Sequence, residues 1–414
     1  MIGVIKMERK AKVLAALMSS VLLVLAFLPA MQIHGLDEEI ETGIVRDSSV
    51  IELDPEIVYP YEWTYHDYLE VTHYLYDLEG AYPEIVDVYS IGQSVQGREL
   101  WCIEFGEGPT GVLIDGGIHG DEAIATEAVL YFATLLLDNQ ENKTVSGLLD
   151  SRTFYMIPLV NPDGLERSEY LGYLGRYNAR FVDLNRDYID PISQPETRAV
   201  AAFMDEHNFS VYLNVHSGGY NLLYPWGYAS GNEPFEMPEE HEAVYEFVGQ
   251  WMTQNTDMPE YYIGPSVDVM YEAVGCADDY SYQKHLVPSF TYEVYSLTHW
   301  LAKKVPGTTE DAEKLLSKMP FLKSSSLPTM DVYDLCLILS LIPKLPFWIL
   351  SMMARGNLML ISLLFRLILP PMWSLYNPPE SDLPIYMPGL MPIMLYCSEN
   401  AEALGNWDLE ELTQ

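Results

Sequence analysis

Apolar residues at Leu69, Tyr74, Leu75 and Leu78 follow a helical spacing, which predicts a helix within Thr64–Tyr82. The pattern then changes. Ile85–Ile91 and Leu100–Phe105 read as strands on either side of a turn at Gly92–Gly97, as in a hairpin. Val112–Asp115 is a short apolar strand that runs into Gly116-Gly117, and Glu122–Leu137 reads as a helix. Phe154–Val160 and Val211–Val215 are strands of the buried type, His241–Thr253 is helical, and Ser289–Tyr295 is a further strand. Strands that alternate with helices predict an α/β fold with a mixed, largely parallel central sheet flanked by helices. In such sheets, sites form at the carboxyl ends of strands.

The two ends of the chain depart from this pattern. Lys6, Arg9, Lys10 and Lys12 precede the uncharged stretch Val13–Leu28, and Pro29-Ala30 follows. This layout predicts a signal peptide over residues 1–30, too short in its apolar core for a comfortable membrane span. Residues 31–61 read as an acidic leader, and 62–325 as the main folded domain. Beyond it, 326–414 is a hydrophobic, Pro-rich extension. Between Asp334 and Tyr376 there is one acid, Asp334, against three bases, Lys344, Arg355 and Arg366. Three readings stand for this extension: a membrane anchor with contact through 334–373, a small packed domain, or an out-of-frame stretch. The expected location is secreted or extracellular, with attachment to the cell envelope under the anchor reading.

Charge narrows the function. The chain carries 60 acidic against 22 basic residues, a net charge of −38, so its surface repels phosphate backbones and nucleic acid is excluded as a partner. With 49% apolar and 20% charged residues, the composition is that of a globular protein. Four cysteines (Cys102, Cys276, Cys336 and Cys397) are too few for a disulfide scaffold; paired and free thiols both remain open.

The chemistry gathers after two strands. His119-Gly120-Asp121-Glu122 follows Val112–Asp115 and a glycine pair, and it opens a helix. Three positions apart at a helix start, His119 and Glu122 can aim at one point. His216 ends the second apolar run and is followed by Ser217-Gly218-Gly219. Two histidines and one carboxylate form a ligand set for catalytic zinc, with one position left for water.

These residues, with several others in order, resemble the zinc carboxypeptidases of the carboxypeptidase A and B type. The other motifs are Asn161-Pro162-Asp163-Gly164, read as a turn after a strand, Gly175-Arg176-Tyr177-Asn178, Asp183-Leu184-Asn185-Arg186, Tyr271, Asp278-Asp279-Tyr280 and Thr291-Tyr292-Glu293. The resemblance spans roughly residues 62–320 and implies a single catalytic domain of the zinc-exopeptidase type. It implies one zinc ion held by His119, Glu122 and His216, the ligand set known from carboxypeptidase A. It also implies that Asp183 orients His119 from behind. Glu293 is the implied base that activates the zinc-bound water, and Arg176, with Arg180 as the neighbouring alternative, the group that stabilises the oxyanion. Asn185 and Arg186 would grip a free C-terminal carboxylate, with Tyr271 closing over it. Asp278 matches the base of the pocket for the departing residue, and a carboxylate there favours Lys or Arg. Asp121 stands where digestive relatives carry an arginine, so contacts further along the peptide are not expected from it. The implied partner is a peptide or protein with a free C-terminus. A cell-wall peptide hydrolase, an amidase-like deacylase on the same scaffold, and a noncatalytic peptide-binding surface protein are the competing readings.

Overall fold

The computed structural model describes residues 63–171, 175–256, 262–296 and 376–413. The predicted signal peptide, the acidic leader, segment 334–373 and Cys336 lie outside the described residues. The first helix, α1 (Tyr68–Ala81), lies within the span its apolar pattern predicts and starts where Asp67 caps it. The Asp67 carboxylate accepts from the Glu70 amide, and the Glu70 side chain accepts from the Asp67 amide. Val71, Tyr74, Leu75 and Leu78 form its buried stripe, while Leu69, off that stripe, is 60% exposed.

The expected hairpin is formed by β1 (Val86–Gln93) and β2 (Glu99–Phe105), paired antiparallel. They edge an eight-stranded sheet whose other members are β3 (Thr110–Asp115), β4 (Arg152–Ile157), β5 (Val211–His216), β6 (Asn221–Tyr224), β7 (Tyr262–Pro265) and β8 (Ser289–Glu293). The order is β1-β2-β4-β3-β5-β8-β6-β7, and the central strands β4, β3, β5 and β8 run parallel. The sheet is mixed and largely parallel, as the alternation of elements implies. Every residue of β3, β5 and β8 is buried, since both faces are covered.

Helices α2 (Ala123–Asp138), α3 (Lys143–Ser151) and α6 (Glu239–Asn255) join α1 on one face of the sheet. Val112, Ile114, Val211, Leu213 and Val215 point to that side. On the other face lie α5 (Pro195–Glu206) and α7 (Ala277–His285), packed against Leu113 and Tyr212. The period-two alternation of strand side chains produces this division. Asn161–Gly164 is not a turn but the start of α4 (Pro162–Leu171). Pro162 suits a first helical position, and the Asn161 Oδ1 accepts from the Gly164 amide at 2.9 Å, so both residues serve helix initiation.

Residues 376–413 pack into the same core rather than forming one of their own. Leu383, Met387, Leu390, Ile393 and Met394 lie fully buried in the cluster that contains Val215 and Tyr292. The main helix here, α8 (Met391–Glu399), has its last carbonyls held by Arg152, which donates to Ser398 O at 3.1 Å and Glu399 O at 2.8 Å. Among the described residues, no helix is long and apolar enough to cross a membrane.

Burial of Glu399 in this packing pushes its carboxyl up from 4.5 to about 7. An acid with a raised value stabilises the fold at low pH, and that contribution is lost as pH climbs from 4.5 to about 7. Glu399→Gln, which has no proton to lose, is expected to melt with the wild type at about pH 4 and above it at about pH 8. Thermal unfolding at the two pH values checks this; a Gln variant that melts lower at the higher pH contradicts it.

Candidate active site

Three strand ends assemble the site. Beyond β3 the chain passes through Gly116–Gly120 into α2. At Gly120 a Cβ would stand 2.1 Å from the Leu165 amide nitrogen, so the loop lies directly on the α4 backbone and only glycine fits. This close packing presents His119 and places Glu122 at the N-cap of α2. The parallel pairing of β5 with β8 sets His216 directly beside Glu293.

Both histidines turn Nδ1 toward Glu122. His119 Nδ1 lies 2.8 Å from one carboxylate oxygen and His216 Nδ1 lies 2.9 Å from the other. All three residues are buried, and one donor atom from each falls within 4.8 Å of the others. The outward nitrogens are held as well: His119 Nε2 by Asp183 Oδ1 at 3.1 Å, and His216 Nε2 by Asn214 Oδ1 at 2.5 Å. Two imidazoles with backed-up ring nitrogens and one carboxylate suit zinc. Burial works against ionisation of Glu122, but the two imidazoles outweigh it and hold the carboxyl below its usual range. Burial and Arg176 oppose protonation of His119; the carboxylates of Glu122 and Asp183 prevail and push it up to about 9.

Arg176 is buried beside this group. Its Nε donates to Asp183 Oδ2 at 3.0 Å, its Nη2 sits 2.9 Å from the same oxygen, and its Nη1 lies 3.6 Å from Glu122 Oε1. Arg180, the alternative, is exposed. Burial opposes charge on Asp183, but Arg176 and His119 hold its carboxyl well below the usual range. Asp183 also caps the turn Leu184–Arg186 by accepting from the Asn185 amide at 3.0 Å, which fixes the next two residues. The Asn185 Oδ1 accepts from the Ala277 amide at 2.9 Å. Arg186 donates to the Tyr271 hydroxyl at 3.0 Å and reaches Cys276 Sγ at 3.2 Å.

One cavity joins these groups. His119, Glu122, His216, Arg176, Asn185, Arg186, Tyr271 and Glu293 all line it, together with Leu223, Ser266, Met270, Ala273, Cys276 and Thr291. Of the residues singled out by sequence, Asp183 and Asp278 do not line it. Asp278 is 1% exposed and interacts with Thr291, which places it behind that wall. Burial pushes its carboxyl up, and burial with the Asp278 charge does the same to Asp279. His207 is remote from this group: its Nδ1 contacts Phe203 O at 3.0 Å. Cys102, Cys276 and Cys397 are buried free thiols.

Some participants carry no recognisable spacing in sequence. Asn214, one strand position short of His216's neighbour, donates through Nδ2 to Asp115 Oδ1 at 2.5 Å; Tyr212 donates to Asp115 Oδ2 at 2.9 Å. Asp115 and Asn214 are marked only as polar residues within largely apolar strands. Tyr376 also lines the cavity, although it follows Glu293 only after a long stretch of chain. Its ring lies against Gly218, where a Cβ would meet it at 3.2 Å and stand 3.8 Å from Glu293 Oε2. Gly218 also has φ +131°, so two requirements coincide at that position.

A family profile described as zinc carboxypeptidase matches residues 71–304. Carboxypeptidase B of Astacus astacus is 30% identical over 260 residues, which cover 53% of this chain and 82% of that protein. Carboxypeptidase D of Homo sapiens is 28% identical over 208 residues, 47% of this chain but only 15% of that protein. The crystal structure of thrombin-activatable fibrinolysis inhibitor superposes with a TM-score of 0.51 at 23% identity, over 56% of this chain and 67% of that one, a likeness of fold.

Proposed function

Because the chain belongs to the zinc carboxypeptidase family, we propose that it hydrolyses the last peptide bond of peptides or proteins, with His119, Glu122 and His216 as its zinc ligands. The convergence of these three side chains on one point within 4.8 Å carries the reading. A zinc ion there would act as a Lewis acid toward the scissile carbonyl and acidify the attacking water. The remaining work falls to side chains. Glu293, beside His216 in the β5–β8 pair, takes the proton from the water and passes it to the leaving amine. Arg176, braced by Asp183, presents Nη1 toward the metal ligands, where the carbonyl oxygen would gain charge.

Exopeptidase action follows from the opposite wall. Arg186 now donates to the Tyr271 hydroxyl; a substrate carboxylate entering the cavity would accept from the same planar guanidinium and from Asn185. Tyr271 would then cover the departing residue. Asp278 does not line the cavity, so its bias on the pocket would act through the Thr291 wall, as a charge felt from behind it. A buried carboxyl whose charge is disfavoured gains a counter-ion when a Lys or Arg side chain enters. Basic C-terminal residues are therefore the proposed preference. The basic-then-apolar N-terminus supports export to a secreted location.

Blocked dipeptides ending in Phe, Leu, Arg, Lys or Glu, assayed with and without a chelator, test this. Arg and Lys are expected to leave fastest. Asp278→Asn is expected to lower kcat/KM for them severalfold, the effect of a charge felt across Thr291 rather than of a direct bond, with little change for Leu. Phe released fastest by the wild type removes Asp278 from the specificity pocket. Full activity in excess chelator removes zinc.

A further inference from the structure

The residue at a helix N-cap ordinarily turns its side chain back onto the second or third amide of the helix. Glu122 occupies that place in α2 (φ −99°, ψ 54°) and makes no such bond, because its carboxylate lies between His119 and His216. The first amides of a buried helix still need acceptors. One of them comes from far along the chain. Asn377, 1% exposed, accepts from the Ile124 amide through Oδ1 at 2.9 Å and donates through Nδ2 to Asp121 O at 2.8 Å. A single carboxamide thus spans Glu122, bonded to the backbone on both sides of it.

The preceding residue reaches the other ligand-bearing segment. Tyr376 O accepts from the Ser217 hydroxyl at 2.6 Å, and the Ser217 amide donates to Glu122 Oε2 at 3.0 Å. We propose that Asn377 is a positioning residue for the metal centre: it supplies the cap that Glu122 gives up in order to ligate, and so holds Glu122 and its loop in binding geometry. This rests on the reading of His119, Glu122 and His216 as zinc ligands. Both hydrogen-bonding functions of the amide are used, which accounts for Asn over Asp or Ser. The residue lies outside the span 71–304 that matches the family profile, so a segment beyond that span braces the loop that carries Glu122.

A merely structural Asn377 would only fasten residues 376–413 to the core. Arg152 does that elsewhere, through the carbonyls of Ser398 and Glu399, away from the metal loop. The test follows zinc release from the loaded full-length chain to a coloured chelator. Asn377→Ala is expected to release zinc about 10–100-fold faster, the usual effect of losing a group that orients a metal ligand. Arg152→Ala is expected to melt at a lower temperature and to release zinc at the wild-type rate. Asn377→Asp, which keeps the acceptor for Ile124 and loses the donor to Asp121, is expected to fall between; it carries the test if the alanine variant does not fold. Release at the wild-type rate from the Asn377 variants, or equal acceleration in Arg152→Ala, overturns the proposal. Failure of the wild type to take up zinc overturns the proposed function and this inference with it, whereas normal uptake with unaltered release overturns this inference alone.

Discussion

Glu293→Gln is expected to keep its fold and its zinc while kcat falls by about 10²–10⁴-fold, the range for loss of a general base. The substitution changes no volume. Residue 293 stays anchored by the β5–β8 ladder. What is lost is the ability to accept a proton. The cavity wall formed by Arg186, Asn185 and Tyr271 is untouched, so KM is expected to change far less than kcat. Steady-state kinetics with zinc content measured on the same sample check this. A Gln variant with the wild-type kcat takes Glu293 out of the chemistry.

The second large effect is expected when an imidazole is removed. His119→Ala or His216→Ala leaves the buried Glu122 carboxylate with one histidine where it had two. Zinc retention and hydrolysis are expected to fall together to background. The protons at this centre also set a direction with pH. His119 is pushed up to about 9 by the carboxylates around it, so below that pH its ring must shed a proton before it can ligate. Zinc is therefore expected to bind the wild type more weakly at about pH 6 than at about pH 8. Competition with a calibrated chelator at both values reads this; tighter binding at the lower pH contradicts it.

What sequence could convey was local. His119 and Glu122 share a loop and a helix start, so helical spacing lets those two meet; His216 joins them only through its place at the end of an apolar run. The pairing that sets His216 beside Glu293 depends on strand order, which the alternation of elements implied only as a class of sheet. Strands β6 and β7 have four residues each, too few for a period to show. Asn161–Gly164 resembled a turn because Asn and Pro serve turns and helix starts alike. Asp278 was readable as a pocket residue by resemblance, but its seat behind Thr291 depends on how α7 packs on β8. Asn377 was beyond reach. It acts through one carboxamide on the backbone of a loop distant in sequence, and no spacing announces such a contact.

The most direct test is the metal content of the purified chain after zinc loading and dialysis, measured by elemental analysis on the wild type and on His119→Ala, Glu122→Ala and His216→Ala. The expected result is about one zinc per wild-type chain and almost none in each variant, as for a site with three protein ligands. A wild type without zinc, or variants that hold as much as the wild type, would show that no metal centre exists at these three side chains.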